Sequence, residues 1–315
     1  MQVDPLSLIL VGVIAGLLPG VFGFGGGWLL VPILTGLLGV DWAHASGLAL
    51  CAIMAGAVSG VVNRLGKPRT DAMPAERAVT GALVAGAVVG SIFGKACVRD
   101  ALADLPEAPI VLDVVLAGVL VAVAVRYLFA AVRGPSPRPA TRPALAVLGA
   151  VGLMTLLPGA LSGLTGIGGG VLYLPILVFL LHWREDRARD ASRLAVLGSA
   201  IVAGSMYAHG GGVPFVQAAC MFVPAALVGA LTSALPIHRR RRTFALVAGA
   251  LALVAVALTV LHAVRDGGSS RPAVGGGLAA AALVIGGSLA WGIACGLTQR
   301  ALIRWRRRLR QPGAS

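Results

Sequence analysis

Apolar residues fall in nine long runs separated by polar breaks: Leu6–Gly39, Ala43–Asn63, Ala78–Cys97, Ile110–Val132, Ala144–Leu181, Ala191–Ala208, Phe215–Leu235, Phe244–Val264 and Gly275–Ile303. A helix crossing the hydrocarbon core of a bilayer needs about 20 residues. Seven of the runs suit one crossing each. The first and fifth are too long for one straight helix, and glycine clusters interrupt both. The pattern predicts an all-α polytopic membrane protein, with those two runs folding back on themselves.

Composition supports this reading. Of 315 residues, 57% are hydrophobic and 12% charged, about half the charge usual in a soluble domain. Such a chain cannot cover its own surface in water, which excludes a soluble enzyme, a disordered protein and a secreted disulfide scaffold. The net charge is +14, but the basic residues lie between apolar runs, where they hold loops on the cytoplasmic side. The expected partner is therefore the lipid bilayer and not nucleic acid. The four cysteines, Cys51, Cys97, Cys220 and Cys295, form no CxxC pair and read as small apolar residues. The start, Met1-Gln2-Val3-Asp4-Pro5, has no basic segment ahead of the first run, so that run does not read as a signal peptide.

Charge between the runs sets orientation. Arg64, Lys67, Arg69 and Arg77 follow the second run, Arg133, Arg138 and Arg142 the fourth, and His238 with Arg239–Arg242 the seventh. The tail adds Arg304, Arg306, Arg307, Arg308 and Arg310, whereas the third run is followed by Asp100, Asp104, Glu107 and Asp113. The basic segments and the loop Arg184–Asp190 are placed in the cytoplasm and the acidic loop outside. The fifth run must then begin and end on one side. Its arm after the glycines, Val171 to His182, has 12 residues and spans about 18 Å as a helix, too little for a crossing. A re-entrant hairpin follows, and the first run has the same form.

The two runs are copies. Gly16–Leu34 aligns without gaps on Gly159–Leu177, an offset of 143, with 11 of 19 positions identical. Gly23-Phe-Gly-Gly-Gly-Trp-Leu-Leu-Val-Pro-Ile-Leu34 stands against Gly166-Ile-Gly-Gly-Gly-Val-Leu-Tyr-Leu-Pro-Ile-Leu177. Three further spans follow each copy, and an odd number of crossings inverts one half against the other. The expected organisation is a first repeat over 1–132, a cytoplasmic Pro/Arg linker over 133–143, a second, inverted repeat over 144–264, and an extra transmembrane helix with a basic tail over 265–315. Pro32 and Pro175, five residues past the last glycine, are expected to kink each arm.

Inverted repeats with broken helices at the midplane mark secondary transporters. The helical arm after each cluster begins near Gly27 or Gly170, where the first N–H groups lack intrahelical partners and carry the positive end of the helix dipole. Two such ends aimed at one point would hold an anion without a buried charged side chain. Candidate contacts are Gly23, Gly25, Gly26 and Gly27 in the first tip, and Gly166, Gly168, Gly169 and Gly170 in the second. Ser162 and Thr165 add hydroxyls beside the second tip only, since Pro19 and Phe22 are their counterparts. Arg193 stands at the start of the sixth run, placed either to attract an anion or to reach the headgroups. Ser59, Ser199 and Ser205 read first as helix–helix contacts, Tyr207 as an interfacial residue. The tips are expected to face a cavity.

The paired GxGGGxxxxPxL motifs, the duplicated eight-segment core over Leu6–Val264 and the Arg-rich central linker resemble the sulfite exporter TauE/SafE family of membrane transporters. The resemblance implies outward transport of small anions, sulfite or organic sulfonates, across the bacterial inner membrane. It also implies a hydroxyl pair early in the helix after each hairpin. Only Ser199, in Gly198-Ser199, matches that pair, and Leu48-Ala49 stands at its counterpart. No cofactor or metal is expected, and homo-oligomerisation is left open. Three alternatives stand beside the carrier: a channel-like or uniport permease, a membrane enzyme and a non-transporting scaffold. An enzyme would need inward His, Asp or Glu groups, which the spans do not offer. An ATP motor is also absent, since Val89 and Ala96 break the Walker pattern around Gly94-Lys95.

The topology makes a direct prediction. In intact cells Ser270→Cys should label with an impermeant thiol reagent and Ser136→Cys should not; the reverse pattern refutes the orientation.

Overall fold

In a computed structural model, residues 4–22, 25–65, 74–102, 108–132, 145–181, 183, 185–210, 213–234 and 250–260 are described. Every described element is helical. Helix α1 (Pro5–Phe22) leads through the glycine tip to α2 (Gly27–Pro32). α3 (Trp42–Leu65), α4 (Pro74–Ile92, continued as π-helical turns over Phe93–Arg99) and α5 (Ala108–Val132) complete the first half. α6 (Leu145–Thr165), α7 (Gly170–Pro175), α8 (Glu185–His209), α9 (Phe215–Ala234) and α10 (Ala250–Val260) repeat the series. Five helices are long and apolar enough to cross a membrane: Trp42–Asn63, Glu76–Leu102, Leu148–Thr165, Asp186–His209 and Phe215–Thr232. The ninth run, the linker and the basic tail lie outside the described residues.

A short helical arm begins after each glycine cluster, and both arms change character at their proline. α2 ends at Pro32 and continues as wider π-helical turns over Ile33–Leu37; α7 ends at Pro175 and continues likewise over Ile176–Leu180. Proline has no N–H to give to the carbonyl four residues back. The break expected at each proline takes the form of a local change of helical pitch. Each arm has 11 helical residues, Gly27–Leu37 and 170–180, about 16 Å at most.

One expected loop is helix. Residues 185–190, read from their charge as part of a cytoplasmic connection, form the first turns of α8. Glu, Arg and Ala are good helix formers, and Glu185 and Asp186 face the positive end of the dipole. Arg187 there pairs with Glu76 at the start of α4. Asp113, grouped with the acidic loop by sequence, is instead buried in the second turn of α5, where it accepts a hydrogen bond from Trp42 Nε1 at 3.1 Å. Asp41 caps α3, accepting from the backbone N–H of Ala43 at 3.1 Å and His44 at 3.2 Å.

Packing couples the two halves. α1 packs against α9, and α6 against α4, so the first helix of each half meets the third long helix of the other. Both pairs run parallel: Gly12 faces Met221 and Gly16 faces Ala225, while Gly86 faces Gly152 and Gly94 faces Ala160. α3 and α8 cross between them antiparallel, with Gly60 against Arg193 and Gly204 against Leu50. The largest wholly buried side chains include Trp28, Leu30 and Leu34 of the first arm and Tyr173 of the second. The short arms are therefore the centre of the core. Outward faces carry leucines, valines and phenylalanine at helical spacing, as in Val89/Phe93, Leu153/Leu157, Val121/Val125 and Leu227/Leu231, the stripe a lipid-facing helix presents.

The α4–α6 contact is a glycine seam. A Cβ at Gly90 would stand 2.2 Å from the Leu156 carbonyl, one at Gly94 2.0 Å from that of Ala160, and one at Gly163 2.1 Å from that of Ser91. Close backbone approach is how helices gain van der Waals contact where lipid supplies no hydrophobic drive. Gly94→Ala or Gly163→Ala should therefore cost about 2 kcal/mol or more, since backbone cannot retreat as a side chain can. Gly81→Ala and Gly149→Ala, where a Cβ meets nothing within 4 Å, are the controls, and each should change stability by less than about 1 kcal/mol. Thermal melts in detergent decide; equal behaviour of seam and control variants would refute the seam.

Candidate functional site

The two hairpin tips meet. A Cβ on Gly27 would stand 2.3 Å from Ile53 Cδ1 and 2.6 Å from the Ile167 carbonyl oxygen, and one on Gly168 3.1 Å from the same Ile53 side chain. Gly25 lies between Ile53 and Val196, each 3.1 Å from its Cβ position. Ile53 of α3 thus touches both tips. Gly23 lies outside the described residues. The expected open space beside the glycines is absent in this conformation: Leu18 fills the place of a Gly26 side chain, and Tyr173 that of Gly169, at 2.7 and 2.6 Å. The tips are close-packed on each other and on their own arms.

The tips share a sequence but not a conformation. Gly26 caps α2 with φ −85° and ψ 0°, whereas Gly169 caps α7 in the left-handed region with φ 61°. Gly166 and Gly168 also have positive φ, both 76°. A side chain at Gly166 would further collide with Ser46 of α3, 2.6 Å away.

Four helix ends converge here, and they are treated in two different ways. The carbonyl ends of the long arms are satisfied by side chains of the crossing helices. Arg193 Nη2 of α8 donates to the Pro19 carbonyl of α1 at 3.2 Å. Tyr207 Oη of α8 donates to the Gly163 and Leu164 carbonyls of α6 at 3.0 and 3.2 Å, and Ser46 Oγ of α3 to that of Thr165 at 3.2 Å. The amide ends of the short arms have no side-chain cap: glycine occupies the cap position at both Gly26 and Gly169. Serine, threonine, aspartate or asparagine normally supplies an acceptor there. The negative ends of the dipoles are thus covered and the positive ends left without an acceptor side chain, which makes the centre attractive to an anion.

The remaining sequence candidates fall into place around this centre. Thr165 and Ser162 are buried on the last turns of α6. Thr165 Oγ1 donates to the Leu161 carbonyl of its own helix at 2.6 Å, while Ser162 Oγ makes no hydrogen bond. Gly170 accepts at its carbonyl from Ser192 Oγ, a 3.4 Å contact. Ser199 is buried and donates to the Val196 carbonyl at 3.1 Å. Arg193 is occupied with Pro19 and with Asp190 at 3.8 Å, and its stem passes over Gly60. Ser59 and Ser205 donate within their own helices.

Ser46, Tyr173 and Tyr207 were not candidates from sequence. Tyr207, read as interfacial, is buried, because its hydroxyl reaches the last carbonyls of α6 and Lys95 Nζ lies 5.0 Å from its ring centroid. Its position one turn from the polar end of α8 gave the opposite signal. Cys97, read as a buried small residue, is exposed. Among the described residues no cluster of His, Cys, Asp and Glu has metal-binding spacing.

Comparison with known proteins adds one match. The family model described as sulfite exporter TauE/SafE matches residues 8–260. No curated protein and no solved structure matches the chain.

The capping geometry of Arg193 gives a prediction. Arg193→Gln should destabilise the protein by about 1–2 kcal/mol through loss of a charged cap at a helix C-terminus, with Arg193→Lys intermediate. Thermal melts measure this; an unchanged melting temperature for Arg193→Gln would show that the cap contributes nothing to the fold.

Proposed function

The chain belongs to the sulfite exporter TauE/SafE family, and on that premise we propose that it is a secondary transporter exporting a small anion, sulfite, an organosulfonate or a related oxyanion, from the cytoplasm. The family is one of membrane transporters, and the apolar helices make this a multi-pass membrane protein. The observation that carries the substrate reading is the pair of uncapped amide ends at Gly26 and Gly169 beside covered carbonyl ends.

Substrate binds between the tips. Backbone N–H groups of the first turns of α2 and α7 take its oxygens, replacing the acceptor that a capping side chain would otherwise provide. Inverted repeats give the motion. Antiparallel crossing of the equivalent helices α3 and α8, and the reciprocal α1–α9 and α6–α4 contacts, support a pseudo-twofold axis lying in the membrane plane. Rocking of one half against the other would part the tips toward each side in turn. The contact of Gly27 with Ile167 then corresponds to an occluded state. The membrane is the bacterial inner membrane, with the C-terminus in the cytoplasm.

A site made of dipoles carries less than a full positive charge, so it cannot repay the dehydration of a dianion. Purified protein in proteoliposomes should carry sulfite, as the hydrogensulfite monoanion, with the dianions sulfate and sulfoacetate slower by about tenfold or more, one power of ten being about 1.4 kcal/mol. Acetate tests whether a carboxylate suffices. Absence of flux for all four anions, or sulfate as the fastest, would refute the reading.

A further inference from the structure

Two hydroxyls of the second hairpin are wholly buried without a hydrogen bond: Ser162 Oγ and Tyr173 Oη. Buried hydroxyls are paired in the great majority of cases, because removal from water without a replacement partner is unfavourable. Thr165, Ser199 and Tyr207, in the same region, all follow the rule by donating to carbonyls. Phenylalanine would fill the volume of Tyr173 without leaving an orphan donor. No hydrogen bond of this hydroxyl therefore holds the conformation together.

Its position gives it another. Helical side chains lean toward the N-terminus of their helix, and the Tyr173 ring folds back one turn onto the tip. A Cβ on Gly169 would stand 2.6 Å from Tyr173 Oη and 2.7 Å from Cζ. The phenol hydroxyl thus lies over the uncapped amide end of α7. Ser199 of α8 is close enough to act on it, but gives its own proton to Val196 and does not meet hydrogen-bond geometry with Oη. At the repeat offset the first hairpin has Leu30, so nothing equivalent roofs α2.

We infer that Tyr173 is the specificity-determining donor of the site: its Oη–H donates to one oxygen of the transported oxyanion at the N-terminal end of α7, and the second hairpin selects the substrate while the first only completes the cage. This rests on the anion-transport reading and deepens it. The ligand it fits has at least two acceptor oxygens on one centre, one for the phenol and one for the backbone amides. The oxygen reaches Oη only when the tips part, since Tyr173 is fully buried here.

The test compares the native protein with Tyr173→Phe, full length, in detergent melts and in proteoliposomes, with sulfite, sulfoacetate, methanesulfonate and acetate as probes. Tyr173→Phe should melt at the same or a higher temperature, because it loses only an unpaired hydroxyl. Its half-saturating anion concentration should rise about tenfold, the equivalent of one hydrogen bond of about 1.4 kcal/mol, with maximal flux nearly unchanged. An unchanged half-saturation overturns the inference, as does a lowered melting temperature, which would make the hydroxyl structural. If acetate alone stabilises the native protein and does so less in Tyr173→Phe, the sulfur-oxyanion reading fails and the assignment of Tyr173 stands. If no probe stabilises the native protein, both fall.

Discussion

A backbone that turns around inside a membrane must find partners for its own polar groups, and the structure is organised by that requirement. Helices that end at Phe22 and Thr165 and begin again at Gly27 and Gly170 create four helix ends away from water. Each would leave several carbonyl or amide groups without intrahelical partners. The long crossing helices α3 and α8 resolve half of this. Four of their polar side chains, Ser46, Ser192, Arg193 and Tyr207, point to carbonyls of the hairpins. These hairpin caps stand apart from Thr35, Ser91, Thr155, Thr165 and Ser199, which donate to carbonyls of their own helices.

The other half is left to glycine. Glycine brings backbone to backbone, and the tips use this to meet, Gly27 against Ile167. The same device builds the seams between α1 and α9 and between α6 and α4. Glycine therefore serves two purposes in one chain. In the seams it removes side chains so that helices lock. At the tips it also removes the cap, leaving the amide ends without an acceptor side chain. The seams set backbone against backbone, whereas at the centre the side chains of Ile53, Leu18 and Tyr173 also fill the space beside the glycines.

Much of this was legible in the sequence. Apolar run length located crossings in the second, third, sixth and seventh runs, while Leu148–Thr165 of the fifth run is itself long and apolar enough to cross; the offset repeat with its glycines located the break before each short arm, at Gly27 and Gly170. What escaped was set by tertiary contact. Tyr207 has the sequence context of a headgroup-level residue, but α8 passes close enough to the end of α6 for its hydroxyl to find two carbonyls. Tyr173 looks like one more apolar position in an aligned arm, and only its fold-back onto Gly169 gives it a place in the site. Residues 185–190 read as loop because charge was weighed above helix propensity. The tips were expected beside open space because glycine removes bulk, yet neighbouring side chains took up the volume, as close packing requires.

The two triplets Gly25-Gly26-Gly27 and Gly168-Gly169-Gly170 are identical, yet their backbones differ. Gly26 sits at φ −85°, which any residue can adopt, and Gly169 at φ 61°, which costs a side-chain-bearing residue about 1–2 kcal/mol. Conformation alone therefore demands glycine at 169 and not at 26. On the alternating-access reading the halves exchange roles as the protein turns from one side to the other, so each tip must visit the conformation its copy holds in this state. Gly26 is then required by a backbone geometry that belongs to the opposite state. The tips can be equal in sequence for that reason and unequal in every single conformation. The side chains around them, Leu30 against Tyr173 and Phe22 against Thr165, have diverged where only one half needs to address the substrate.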